Sequence, residues 1–305
     1  MLKFVMRRLL YIPLSLLFVS GVAFAALRLT GNPIDTYLDI NRTPEQVEAL
    51  TRRLHLDQPL PIQFLIYLRD VLKGDFGQSL QFGGPAIDVV LQRLGATAEL
   101  LFVALLLATL VGLLAGIVCA VYKDRSPDYV ISTIAVASQS MPSFWLGILL
   151  IQLFAVNLQW LPTSGRSDLV HLVLPAVTLA AFILPNIVMI TRTSMIETMR
   201  EQFVVTATAK GVARPVILFR HVLPNALNPI ISFVGLQLGR LMGGAIITET
   251  IFAWPGIGRL MIGSIFQRDV PVVIAGVVIV SLIIVLANLI VDIVLSLNDP
   301  RIRLG

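Results

Sequence analysis

Long apolar runs without a single charged residue decide what this chain can become. Leu9–Leu27, Leu100–Tyr122, Leu172–Thr191 and Val272–Val291 contain no Asp, Glu, Lys or Arg. About 20 apolar residues in a helix span a bilayer core of about 30 Å, with the backbone polar groups paired inside the helix. Composition agrees: 56% of the 305 residues are hydrophobic and 13% are charged, against about 25% charged in soluble domains. Tyr129–Gly165 is also uncharged, too long for one span and too short for two. Ser138-Gln139-Ser140 and Pro142 fall inside it, which predicts one kinked or tilted helix over Ile131–Asn157. The remaining run, Leu227–Ile251, is interrupted only by Arg240 and Glu249. The expectation is an all-α integral membrane protein with six transmembrane helices, rather than a soluble helical protein.

Lys and Arg in the short loops set the orientation. Lys3, Arg7 and Arg8 precede the first span, and Lys123 and Arg125 lie between the second and third. Arg192, Arg200, Lys210, Arg214 and Arg220 lie between the fourth and fifth, and Arg301 and Arg303 follow the sixth. The short loops on the other side hold only Arg166, Arg259 and Arg268. Both termini are therefore expected in the cytoplasm, with the loop from Thr30 to Glu99 outside. The formal charge of +5 reflects this bias and not nucleic-acid binding, which needs a basic face on a soluble domain. The amino terminus mimics a signal peptide, with Ala23-Phe24-Ala25 like a cleavage site. Its apolar run of 19 residues exceeds the usual core of about 7–15, so an uncleaved first helix is expected.

Catalysis has little to stand on. Cys119, the single cysteine, lies in the second span, where a small buried apolar role is expected. His55 and His171 fall outside or at the outer edge and His221 inside, so the three cannot converge. No H-E-x-x-H, C-x-x-C, G-x-S-x-G or G-x-x-x-x-G-K-[ST] pattern occurs. The last absence means that the chain has no phosphate loop with which to bind and hydrolyse ATP.

Two loops carry local structure. Outside, Thr43 can cap a helix beginning at Pro44 and running to about Leu54, with Gln46 completing a capping box. Asp57-Gln58-Pro59-Leu60-Pro61 breaks it. A second helix, Ile62–Leu72, puts Phe64, Leu65, Leu68 and Leu72 near one face and ends at Lys73-Gly74-Asp75. Inside, Gln202–Asn225 is polar and basic. Ala207 and Ala209 are small enough to let another helix approach, and Gly211 fits a helix C-cap of positive φ. Pro215 opens a short helix, Val216–His221, with Val216, Ile217 and Phe219 as exposed apolar anchors. Leu223-Pro224-Asn225 then turns the chain back to the membrane. Such a helix suits a groove in a partner, and equally suits lying on the lipid surface.

This inner loop resembles that of ABC-importer permeases, with the motif E-A-A-x3-G-x9-I-x-L-P. Ala207, Gly211, Leu223 and Pro224 match; Val205, Thr206 and His221 depart, and no role passes to them. Other segments resemble the B-type permease subunits of peptide and nickel importers. They are Leu56-Asp57-Gln58-Pro59-Leu60, Lys73-Gly74-Asp75-Phe76-Gly77, Trp254-Pro255-Gly256-Ile257-Gly258-Arg259 and Asp299-Pro300-Arg301-Ile302-Arg303. The resemblance covers nearly the whole chain, in order. It implies the type I ABC importer permease fold, divided as a first helix and external loop (1–94), a permease core (95–295, coupling loop about 192–226) and a cytoplasmic tail (296–305). It also implies a second homologous permease subunit, two cytoplasmic ATP-binding subunits holding ATP and Mg, and an extracytoplasmic solute-binding protein. Ala207, Gly211, Val216, Ile217, Phe219, Leu223 and Pro224 would form the segment that couples to the ATPase. The chain itself would hold no cofactor.

Arg240 is the best clue to a pathway. A central arginine in a span costs at least about 2.5–3.5 kcal/mol, so it is expected to face water or a partner. Gln237, Arg240 and Gly244 are spaced i, i+3, i+7 on one face, and Gly239, Gly243 and Gly244 allow close helix approach. Either Arg240 meets an anionic group on the cargo or it pairs within the bundle. Glu249 is a poor partner for it, nine residues on and about 13 Å along the axis. The leading function is a permease subunit of a binding-protein-dependent importer for di- or oligopeptides or a peptide-like solute. Nickel, glutathione, an opine or an oligosaccharide are alternative cargoes. The rival classes are a self-sufficient secondary transporter, which would want a coupling-ion carboxylate at mid-membrane, and an intramembrane enzyme.

Overall fold

The computed structural model describes residues 13–25, 43–53, 55–79 and 81–298. Apart from one isolated bridge between Gln78 and Pro85, the regular structure among them is helical. In chain order the helices are α1 (Pro13–Ala25), α2 (Pro44–Arg53), α3 (Leu60–Leu72), α4 (Ala86–Val121), α5 (Ser126–Gln139) and α6 (Ser143–Leu150). They continue as α7 (Val170–Ala180), α8 (Leu184–Thr198), α9 (Gln202–Ala209), α10 (Arg214–Val216), α11 (Leu223–Ile251), α12 (Ile257–Phe266) and α13 (Val270–Asn298). Among the described residues, three stretches are long and apolar enough to cross a bilayer: Ala86–Val121, Arg214–Gln237 and Val270–Val291. Two bent pairs raise that to up to five. At 1.5 Å per residue the 36 residues of α4 reach about 54 Å, well beyond a hydrocarbon core.

Both bent pairs differ from expectation. The single kinked helix over Ile131–Asn157 is two helices meeting at 108° across Ser140–Pro142. Pro142 has no N–H to continue the ladder, and it sits at ψ 134, outside the helical region. The predicted fourth span is likewise broken between α7 and α8, at 58°. Pro185 stands in the first turn of α8, where a missing N–H costs nothing. Of the predicted first span, Leu9–Ile12 and Ala26–Leu27 lie outside the described residues; Leu227–Ile251 and Val272–Val291 each lie within one helix, and Leu100–Tyr122 runs one residue past the end of α4. The Asp299–Arg303 segment lies outside the described residues.

The chain forms two compact units, Met1–Ala96 with Gly256–Leu286, and Thr97–Pro255 with Ala287–Gly305. In the first, Ala86, Val89, Val90, Ile257, Val272 and Ala275 make the core. Phe24 of α1 meets Phe64 and Tyr67 of α3 at centroid distances of 5.3 and 5.6 Å. Of the apolar face expected on α3, Leu65 and Leu72 are exposed, while Gln63 is buried and donates to the Gln58 carbonyl at 2.6 Å. The helix ends as expected at Lys73-Gly74-Asp75: Gly74 has φ +78, and the Asp75 N–H reaches the Asp70 carbonyl at 2.9 Å. Beyond it, the Ser79 hydroxyl donates to the buried Asp269 carboxylate at 2.5 Å, which pins the Lys73–Gly77 motif to the corner between α12 and α13.

In the second unit, α4 packs on α8 through small residues. A Cβ on Gly112 would lie 2.8 Å from the Ile187 side chain, and one on Gly116 would collide with Thr191. This is the close approach that glycines four apart permit between membrane helices. Of Gly239, Gly243 and Gly244, expected to allow close approach, Gly244 lies against Leu179, and no described atom lies within 4 Å of a Cβ at Gly243. Polar ties also join this unit. The Thr97 hydroxyl donates to the fully buried Glu249 at 2.6 Å. Arg166 pairs with Glu99 at 2.6 Å and lies over the buried Trp254 ring at 5.6 Å.

Candidate functional site

The loop between α8 and α11 is built by one glycine and one change of helical register. Gly211 has φ +73. Its N–H reaches the Thr208 carbonyl at 3.0 Å, and the Val212 N–H reaches the Ala207 carbonyl at 3.2 Å. These paired bonds are the Schellman closure of a helix C-terminus, which needs the left-handed conformation that glycine adopts without strain. Val204, Ala207 and Val212 pack against the buried side chains of Met195, Ile217 and Val222 and their neighbours. No atom lies within 4 Å of a Cβ at Gly211, so the requirement there is for the backbone conformation and not for space.

From Arg214 the chain stays helical without a break into α11. The expected turn at Leu223-Pro224-Asn225 is absent: Leu223 has helical φ and ψ (−56 and −47). A π-helical segment over Ile217–Val222 runs directly into α11 and carries the helix past Pro224. Asn225 supplies a further donor, from its side chain to the His221 carbonyl at 2.7 Å.

The same register sorts the predicted coupling residues. In an α-helix Ile217 and Val222 would point about 140° apart; i→i+5 winding brings them onto one face. Both are buried with Ala120, Met195 and Ala226. Ile217 is therefore not an exposed anchor as expected but the side chain that docks the loop, an insertion worth about 1.5–3 kcal/mol. Ala207 and Leu223 pack partly against the same cluster, and Pro224 is exposed. Left outside are Val216 (43% exposed) and Phe219 (58%). The structure thus presents one valine and one aromatic ring on a helix whose opposite face is locked down.

A second tie fixes this region and is not visible in the sequence. Asp128, 2% exposed, receives Arg192 in a two-pronged ion pair, Nε to Oδ1 at 2.6 Å and an Nη to Oδ2 at 2.7 Å. It also accepts the Asp124 N–H at 3.0 Å and the Ser132 hydroxyl at 3.2 Å. The pair joins the start of α5 to α8 across 64 positions. In the sequence Arg192 enters only the loop charge count; Ser126-Pro127-Asp128, reading as a helix start, is the one local signal for its partner.

The two pathway candidates separate. Gln237 is buried and its amide donates to the Phe233 carbonyl at 3.4 Å. Arg240 is exposed, with no side-chain hydrogen bond or ion pair among the described residues. Glu249 is engaged with Thr97.

Comparison with known proteins places this arrangement. The family described as "Binding-protein-dependent transport system inner membrane component" matches residues 112–304, and its N-terminal counterpart matches residues 1–101. A dipeptide transport system permease protein of Alkalihalophilus pseudofirmus is 38% identical over 99% of this chain and 100% of its own length. A glutathione transport system permease protein of Escherichia coli K12 is 38% identical over 99% of both chains. A chain of the inward-facing MetNI methionine ABC transporter shares the fold, with a TM-score of 0.58, 17% identity, and coverage of 69% of this chain and 96% of that one. These likenesses decide against the secondary transporter and the intramembrane enzyme. Proteins of this kind are multi-pass inner-membrane permease subunits of ABC importers, and ATP hydrolysis belongs to separate ATPase subunits. This chain belongs to the family of binding-protein-dependent inner-membrane transport components, in its peptide and nickel ABC importer branch.

Proposed function

We propose that this chain forms half of a translocation pathway for di- or oligopeptides or a peptide-like solute, and that Ala207–Pro224 couples it to an ATPase. The observation that carries the reading is the exposed pair Val216 and Phe219 on a helix held from behind by Ile217 and Val222. An aromatic anchor on a rigid support is what a groove contact rewards, because little side-chain freedom remains to be lost. Around it stand a second permease subunit, two ATPase subunits holding ATP and Mg, and an external solute-binding protein. The chain crosses the bilayer six times in the type I permease fold, with both termini cytoplasmic, as the loop Lys and Arg bias supports. The division into 1–94, 95–295 and 296–305 belongs to the same reading.

Two observations support a peptide cargo. Relatives named for dipeptide and glutathione transport are similar over full length, and both cargoes carry carboxylates. Arg240 is an exposed guanidinium on an apolar helix, without an ion-pair partner among the described residues, and suits a carboxylate in a fork of two hydrogen bonds. Gln237 stands one turn away with its side chain buried. Replacing Arg240 by alanine is expected to lower uptake of a dipeptide about 10- to 100-fold, the worth of a hydrogen bond to a charged group. Assembly with the ATPases should stay intact. Uptake equal to that of the unmodified chain, in a complex of normal composition, removes Arg240 from the pathway.

Gly211 offers a separate check on the coupling segment. In Gly211→Val a β-branched residue is forced to φ near +73, at a cost of about 1–2 kcal/mol or more. The α9 end should unwind and ATPase co-purification should fall, while Gly211→Asn, which tolerates this conformation better, should retain most of it. Equal recruitment by the valine and asparagine variants would detach the cap from coupling.

A further inference from the structure

A cleft of about 630 Å³ opens between the end of α4, the end of α8 and the start of α10. Its walls have two chemistries. Ile196, Met199 and Leu218 line it as half-buried apolar side chains, and Phe219, the exposed ring of the coupling segment, lines it as well, whereas Lys123, Arg125, Arg200 and Arg214 line it as exposed cations. No Asp or Glu lines it. Lys123 has Asp124 at 3.6 Å, but the side chains of Arg125, Arg200 and Arg214 have no ion-pair partner among the described residues. Tyr122, exposed, lines it as well.

Four cations with no lining carboxylate repel one another, and a site of this kind is relieved by an anion. The placement narrows the anion. The cleft lies where α4 ends at Val121 and α8 at Thr198, the level at which apolar helices give way to basic loops. On the orientation argued above this is the cytoplasmic headgroup region, where a tyrosine beside clustered basic residues fits the interface. A free phosphate needs no apolar wall; a lipid headgroup, followed by its glycerol and the first methylenes, uses both walls. Basic pockets between membrane helices at this depth suit anionic lipids.

We infer that this cleft binds an anionic phospholipid, its phosphate held by Arg125, Arg200 and Arg214 and its glycerol end against Ile196, Met199 and Leu218. The lipid would brace the base of the coupling segment, because Arg214 and Leu218 belong to it. This goes beyond the importer reading and does not depend on the cargo.

The test is native mass spectrometry of the complete purified chain, delipidated and then offered equal amounts of phosphatidylglycerol and phosphatidylethanolamine. Phosphatidylglycerol should be retained preferentially. The double variant Arg125→Gln, Arg200→Gln should lower its retention about fivefold for each charge removed. The charge-preserving double variant Arg125→Lys, Arg200→Lys and the control Lys73→Gln, exposed on another loop, should keep it. Equal retention of the two lipids, or undiminished retention by the glutamine variant, overturns the inference. Inorganic phosphate binding as tightly as phosphatidylglycerol makes the ligand a free anion and overturns the lipid assignment. Expulsion of the lipid on adding the ATPase subunits assigns the cleft to the ATPase and overturns it as well.

Discussion

Replacing Phe219 by aspartate is expected to abolish ATP-driven transport while leaving the chain inserted and folded. Phe219 is 58% exposed, so its removal opens no cavity in the Ile217 cluster. Truncating a central aromatic anchor of an interface costs about 2 kcal/mol or more, roughly a 30-fold loss of affinity. A carboxylate forced into an apolar groove adds its desolvation. Phe219→Asp should therefore lose ATPase subunits on purification, and Phe219→Leu should keep part of them. The contrast with Ile217→Asp is informative. That change buries a charge among Met195, Val222 and Ala226, so it should damage the loop itself and lower the yield of folded chain. Normal ATPase recruitment by Phe219→Asp would mean that the ring lies on lipid or in solvent and not in a partner's groove.

Arg192→Ala is expected to be the most destabilising single change outside the apolar core. It strips the two-pronged partner from Asp128, which is 2% exposed, and leaves the carboxylate with one backbone N–H and one hydroxyl. Breaking a buried pair from one side costs about 3–5 kcal/mol. Removing both charges, in Asp128→Asn with Arg192→Met, should recover much of that, since no uncompensated charge remains. Thermal unfolding of the purified chains measures both effects. A single variant as stable as the parent would show that water reaches Asp128 and that the pair does not hold α5 to α8.

Much of the architecture is legible in the sequence because it follows from local chemistry. Charge-free runs mark the apolar helices, and positive-φ glycines mark the ends at Lys73-Gly74-Asp75 and at Gly211. What escapes is set by register and by distance along the chain. The π segment over Ile217–Val222 reverses the sense of the anchor residues, burying Ile217 and carrying the helix through Pro224. An apolar triad read at α-helical spacing cannot reveal that. The 108° bend at Ser140–Pro142 shares its local signals with an ordinary kink. Asp128 and Arg192 find each other across 64 positions, and a single sequence holds no record of such pairings. Arg240 stands out in the sequence as a cation in an apolar run, and helix geometry alone keeps it from Glu249, whose carboxylate accepts from Thr97.

The most direct measurement is ATP hydrolysis by the reconstituted complex. The chain, its partner permease, the ATPase subunits and the solute-binding protein are assembled in liposomes, and binding protein is added empty or loaded with a dipeptide. Loaded binding protein should stimulate hydrolysis, and Phe219→Asp should remove the stimulation while the ATPases alone keep their basal rate. Stimulation that persists in Phe219→Asp, or a chain that recruits no ATPase at all, would contradict coupling through this segment.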